Sequence, residues 1–149
     1  MQVTESLYNE PMQAVVATDH PLAAKARVGW ADLAQLPCVL PPPWASLRVK
    51  LEQQFYRDGL QPPADVIESA SFLAQVTFIR GRNAVGFMAA SVARHFESEG
   101  LVRRLRLEVP VELPPVGLIV MRARPLTPVT EQLVKCLRQV AQGAAKRRA

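Results

Sequence analysis

The sequence is poor in the residues on which most site chemistry depends. Its 149 residues include two cysteines and two histidines. Cys38 and Cys136 stand far apart and fit no metal-ligand spacing. Cys38 lies inside an apolar run, where a thiol packs as a small hydrophobe. His20 and His95 lack a Ser, Cys or acidic partner at a meaningful spacing, and Asp19-His20-Pro21 reads as a turn before it reads as a dyad. There is no G-x-S-x-G elbow, P-loop, H-E-x-x-H or paired-cysteine motif. An enzyme is therefore not expected, and no metal or cofactor is implied. No basic-then-apolar leader opens the chain, and no apolar run is long enough to cross a membrane. Two isolated cysteines fit a reducing cytoplasm. The net charge is +5, but the basic residues are dispersed. Only Arg103, Arg104 and Arg106, and Lys146, Arg147 and Arg148, cluster. No stacking aromatics accompany them, so nucleic-acid binding by this chain alone is not indicated, and the second trio reads as a solvated basic tail.

What the sequence has in quantity is apolar residues, 49% against 21% charged, enough for a core within one domain or a domain plus a fragment. The chain is organised around Pro63–Phe96. Asp65–Glu68 is a short extended run behind two prolines. Ser69 and Ser71 are both candidate N-caps. Phe72, Leu73, Val76 and Ile79 recur at helical spacing, and Gly81 is placed to end that helix. Ala84–Met88 has the continuous small apolar character of a strand covered on both faces, and a helix follows it. On either side, Pro11–Ala17 reads as a strand, Trp30–Leu36 as a short helix and Pro37–Leu40 as a strand. Pro41-Pro42-Pro43 is a stiff connection. Ser46 is placed to cap a helix with Leu47, Leu51 and Phe55 inside, Arg48, Lys50, Glu52 and Gln53 outside, and Gly59 at its end. Leu101–Val109 alternates as a strand with one wet face, and Val116–Met121 is a strong strand. Thr127 caps a last helix with Pro128 in its first turn and Val129, Leu133, Leu137 and Val140 along one face. Alternating strands and helices make the class α/β. The final helix and opening strand find no obvious partner, the pattern of a missing half or a subunit contact.

Several short runs, in order, resemble the effector-binding domain of LysR-type transcriptional regulators. They are Glu10-Pro11-Met12, Asp19-His20-Pro21-Leu22-Ala23, Ala31-Asp32-Leu33, Leu36-Pro37, Pro41-Pro42-Pro43 with Ser46-Leu47-Arg48, Glu68-Ser69-Ala70-Ser71, Ala84-Val85-Gly86, Ser91-Val92-Ala93 and Arg124-Pro125-Leu126-Thr127-Pro128. Asn83 stands where many members carry a second glycine, and Ala89 where they carry a proline after the strand. The resemblance implies a type-2 periplasmic-binding-protein-like fold, here mostly one lobe with a mixed sheet flanked by helices. Residues 11–118 would form the second lobe with the hinge strands, 119–142 the return to the first lobe with the C-terminal helix, and 143–149 the basic tail. It also implies a homo-oligomer, and DNA contact only through an N-terminal helix-turn-helix outside this chain.

The same resemblance places a small organic effector, expected to be anionic, in a cleft between lobes. The carboxyl ends of strands in an open α/β sheet give the same location. Two loops qualify, Pro41–Ser46 and Glu68–Phe72, and the candidate ligand-binding residues are Trp44, Ser46, Ser69, Ala70, Ser71 and Phe72. The serines and the amides of the helix they precede suit a carboxylate or phosphate, although helix capping alone would also explain them. Trp44 either walls an apolar pocket or packs in a core or subunit contact. Phe72 and Phe87 read more readily as core. A solute-binding receptor of a transport system with a similar fold is the alternative function. A secretion leader on the native gene would favour it, whereas an upstream helix-turn-helix would favour the regulator.

Overall fold

The computed structural model of the chain describes residues 2–121 and 125–146. Arg124 and the tail residues Arg147 and Arg148 lie outside them. Contacts divide the chain into two units, residues 11–113 and a smaller one formed by the residues up to Glu10 with those from Pro114 onward.

In the smaller unit, strand β1 (Gln2–Tyr8) pairs antiparallel with β7 (Val116–Met121). The sequence reading did not foresee β1, whose ladder partner lies more than a hundred residues away. Gly117 is needed there because a Cβ would meet the backbone of Glu5. Helix α5 (Pro128–Lys146) starts as expected, Thr127 Oγ1 accepting from Thr130 N at 3.3 Å. Arg138 forms a salt bridge with Glu5 at 2.7 Å. The predicted apolar face of α5 is uncovered, since Val129, Leu133, Leu137 and Val140 are exposed while Val134 and Ala141 are buried.

The larger unit is a five-stranded mixed sheet between two helical layers. Its strands are β2 (Met12–Val16), β3 (Cys38–Leu40), β4 (Val66–Glu68), β5 (Val85–Ala89) and β6 (Arg103–Arg104), in the order β4-β3-β5-β2-β6. β3 is parallel to both β4 and β5, while β2 runs antiparallel to β5 and β6. Alternation along each strand sorts the side chains onto two faces. Ala14, Val16, Cys38, Leu40, Val85 and Phe87 point to one face, under α1 (Trp30–Ala34) and α2 (Ser46–Arg57). Val15, Val39 and Met88 point to the other, under α3 (Phe72–Arg82) and α4 (Ala90–Ser98). An aromatic trio centres the first layer, Trp30 meeting Phe55 edge-on at 4.9 Å and stacking on Phe87 at 5.8 Å. Cys38 is part of this core, and burial pushes its thiol pKa up to about 12, so it stays protonated.

Local details depart from the sequence reading. Ala45, not Ser46, is the N-cap of α2, and Ser46 is already the first helical residue with no capping hydrogen bond. Arg48 belongs to the inside of that helix, its side chain only 12% exposed. Helix α3 does not end at Gly81 but runs on to Asn83, which takes the left-handed C-cap at φ 52° and ψ 40°. A short amide side chain tolerates that conformation better than most. Only Arg103 and Arg104 of Leu101–Val109 join a ladder. The alternation holds from Leu105 onward, with Leu105, Val109 and Val111 buried and Arg106, Glu108 and Pro110 exposed, while Val102 falls out of phase and packs in the other core. After Leu105 N donates to Ala14 O, however, the chain leaves β2: Leu105 O accepts from the Gln13 side chain and Arg106 O from Val28 N, and the segment lies across the first core instead.

One close approach fixes α3 on the sheet. Gly86 lies between Val39 and Val15 in register, beneath Ile79. A Cβ at Gly86 would collide with Ile79 Cδ1 and stand 3.1 Å from its Cγ1. Gly86→Ala is therefore expected to cost about 1–3 kcal/mol of unfolding free energy. Ile79→Val, which removes Cδ1, should recover part of that loss in the double variant. Urea melts of the two single variants and the double measure the coupling, and strictly additive losses would contradict the contact. At the far end of the helix, Asn83→Ala should destabilise by about 1 kcal/mol while Asn83→Gly stays near neutral, because only the alanine resists positive φ.

Candidate functional site

The loops that follow β3 and β4 meet the end of β5 and the start of β2 at one end of the sheet, around a pocket of about 360 Å³. Pro41, Pro42, Trp44 and Leu47 come from the first loop and helix α2, Ser69, Ala70, Phe72 and Gln75 from the second loop and helix α3, and Met12, Phe87 and Met88 from the sheet. The lining is predominantly apolar and includes no charged side chain. Trp44 is 84% exposed at this loop and Phe72 45%, whereas Phe87 is buried in the core beneath the pocket.

Of the residues expected from the sequence, Trp44, Ser69, Ala70 and Phe72 line this pocket together. Ser46 and Ser71 are not among its lining residues. Ser71 is the N-cap of α3, its Oγ accepting from Ala74 N at 3.4 Å. Ser69 Oγ accepts from Ser71 N at 3.2 Å and lies 3.3 Å from Ser71 O, which it reaches as donor. Both serines therefore stitch the loop, and each hydroxyl keeps a second lone pair. The first-turn amides of Phe72 and Leu73 precede any intrahelical acceptor and face the loop, carrying the positive end of the helix dipole.

Three further residues hold the loops in place. Ser69 N donates to Leu40 O at 3.0 Å, extending the β3–β4 pairing by one step. Arg48 Nη1 donates to Pro41 O at 3.1 Å and lies 3.7 Å from Glu68 Oε1, while its Nε holds Glu52. A guanidinium is suited to this because its donors fan out in one plane. Gln75, buried, donates from Nε2 to Ser69 O at 3.2 Å. The sequence reading missed both Arg48 and Gln75. The signal for Gln75 was present, since spacing places it on the apolar stripe of Phe72, Val76 and Ile79, where a polar residue is out of pattern.

A larger open groove of about 740 Å³ lies at the other end of β2, lined by Thr18, Asp19, His20 and three arginines. Its charge is largely spent internally. Glu97 pairs with Arg104 at 2.6 Å and with Arg103 at 3.9 Å. His20 is buried and its Nδ1 accepts from Leu22 N at 3.0 Å, so it caps a 3₁₀ turn at Pro21–Ala24. Burial holds the imidazole below its ordinary pKa, partly offset by the Asn83 carbonyl and the Asp19 carboxylate. Among the described residues no cluster of His, Cys, Asp or Glu is arranged to hold a metal ion, and no helix is long and apolar enough to cross a membrane.

Comparison with known proteins agrees with this architecture. The chain is 26% identical over 144 residues to the HTH-type transcriptional regulator GbpR of Azospirillum brasilense, matching 96% of this chain and 42% of that protein's length. The effector domain of the transcriptional regulator AmpR of Pseudomonas aeruginosa superposes with a TM-score of 0.75 at 18% identity, covering 99% of this chain and 69% of that one. The regulatory domain of CcmR from Synechocystis PCC6803, solved in complex with 2-PG, gives 0.72 at 16% identity, covering 94% and 67%. These structures share the periplasmic-binding-protein-like fold of effector domains. The model of the LysR substrate binding domain matches residues 3–142, a family of regulator domains and not of enzymes, and the chain belongs to that family.

Proposed function

We propose that the chain senses a small anionic organic effector for a transcriptional regulator, with residues 11–118 forming the second lobe and its hinge strands. Residues 119–142 would then return to the first lobe with the C-terminal helix, and 143–149 form a basic tail. The observation that carries this reading is the pocket at the carboxyl ends of β3, β4 and β5, with an apolar wall on one side and the start of α3 on the other. The apolar wall suits a carbon skeleton, and the first-turn amides with Ser69 and Ser71 suit a carboxylate. This pocket would be one wall of a cleft between lobes, with the opposite wall supplied from outside this chain. Trp44 and Phe72 are the apolar contacts, and Ala70 gives the backbone room to approach.

Effector binding would control transcription by favouring one arrangement of the lobes, to the extent that its affinity differs between arrangements. DNA contact is assigned to a helix-turn-helix outside this chain, the setting to the cytoplasm, and the working state to a homo-oligomer that covers the exposed stripe of α5. No catalytic step and no cofactor is needed.

A thermal-shift screen of the intact protein against aromatic acids, dicarboxylates and sugar acids tests the first part. At least one acid should raise the melting temperature in proportion to its concentration. The serines are tested with two variants. Ser69→Ala with Ser71→Ala should weaken the acid by roughly tenfold or more. Ser71→Asp keeps a capping oxygen but sets a negative charge at the helix start, so it should preserve the fold and abolish acid binding. Unchanged affinity in both would remove the serines and the helix start from the site.

A further inference from the structure

We infer that Gln75 selects the effector, and that the effector presents a hydroxyl donor to it, separated by an apolar body from the carboxylate held at the start of α3. This rests on the proposal that the pocket after β3, β4 and β5 is the effector site.

Gln75 is 4% exposed and contributes to the pocket wall. One half of its amide is engaged, Nε2 donating to Ser69 O at 3.2 Å. That bond sets the orientation of the group, since the flipped amide would oppose two carbonyl oxygens. The other half is left over: Oε1 is closed to bulk water and has no hydrogen-bond partner among the described residues. A buried acceptor without a donor is costly. Packing does not account for it, because the neighbours on the helix stripe are Phe72, Val76 and Ile79, and a leucine or methionine would suit the same apolar surroundings. Bracing the loop uses only the donor half. Because Gln75 lines the pocket, the acceptor half is the part of its amide left for a donor seated there.

A carboxylate cannot do so, because its oxygens are acceptors and would be repelled. The anionic end of the effector therefore belongs at the helix start and its donor at Gln75, with Trp44 and Phe72 beside the skeleton between them. The chemical class is a hydroxylated organic acid with a ring or a branched chain. A deoxy analogue of the same shape fills the same pocket but leaves Oε1 unpaired.

Matched pairs of acids decide this by titration calorimetry on the intact protein: shikimate with cyclohex-1-ene-1-carboxylate, 4-hydroxybenzoate with benzoate, and 3-(4-hydroxyphenyl)propionate with 3-phenylpropionate. The wild-type protein should prefer the hydroxylated member of at least one pair by about tenfold, the effect of one buried hydrogen bond. Gln75→Met, similar in length but without the acceptor, should bring that ratio close to one while still binding the deoxy acid. Acids that bind without discrimination in the wild type would overturn the role of Gln75 and leave the effector pocket standing. A ratio that persists in Gln75→Met would also overturn it. Failure of every acid to bind would overturn the pocket assignment and this inference together. The wild-type ratio is decisive even if the variant does not fold.

Discussion

The approach of helix α3 to the sheet at Gly86 is the constraint from which the pocket follows. Ile79 occupies the space that any side chain at Gly86 would need, with Val15 and Val39 on the flanking strands. Seating the helix at this depth fixes its rotation and height, and a helix is rigid over so few turns. Its first residues, seven positions before Ile79, are thereby held at the end of β4. The position of Ser69, Ser71 and Gln75 is thus decided by an apolar contact they do not share. The C-cap at Asn83 completes the same element, turning the chain sharply enough to enter β5 two residues later.

Around that helix the two pocket loops are braced by groups that need no ligand. Arg48 links Pro41 to Glu68, and Gln75 links α3 to Ser69. Three consecutive prolines remove much of the remaining freedom of the first loop. Loops held this way lose little entropy when a small molecule arrives, so more of its contact energy remains as affinity. Arg48 was assigned to the solvent face of α2 because its neighbours Lys50 and Glu52 belong there. In the structure its side chain is largely buried and its head reaches backbone and carboxylate oxygens, a route open to arginine that spacing alone does not reveal.

Elements defined by their own composition were legible in the sequence. The apolar runs Cys38–Leu40 and Val85–Ala89, the stripe of α2, the glycine after it and the Thr127–Pro128 start of α5 all declare themselves within a few residues. Features that depend on distant partners were not. β1 is a strand because β7 pairs with it, and Leu101–Val109 is a strand only at Arg103–Arg104 because Gln13 Nε2 and Val28 N take the next carbonyls, those of Leu105 and Arg106. Caps fell between these cases. Ser71 caps α3 as its type suggests, but Ala45 precedes α2 where Ser46 was the better chemical candidate, because the turn at Pro42 fixes where the helix begins, Ala45 N donating to Pro42 O at 2.9 Å. For the pocket, four of the six residues expected from the sequence line it together, while Gln75, whose Oε1 has no hydrogen-bond partner among the described residues, is not among the six.

In an effector site built on this pocket, affinity and selectivity would draw on different parts. Trp44 is the largest exposed apolar side chain of the larger unit, and covering such a ring contributes about 1.5–3 kcal/mol by the area it removes from water. That term is nearly indifferent to which apolar skeleton covers it. Discrimination requires a group that loses more with the wrong partner than it gains with the right shape, and a buried polar atom on a rigid element has that property. Gln75 is such an atom's carrier: helix-borne, oriented by its own bond to Ser69, and surrounded by side chains that offer it no alternative donor. An exposed Trp44 with a braced Gln75 would let the same wall hold ligands of varied outline while responding to one arrangement of hydroxyl and carboxylate, which is what a sensor requires if its response is to depend on chemistry and not on fit alone.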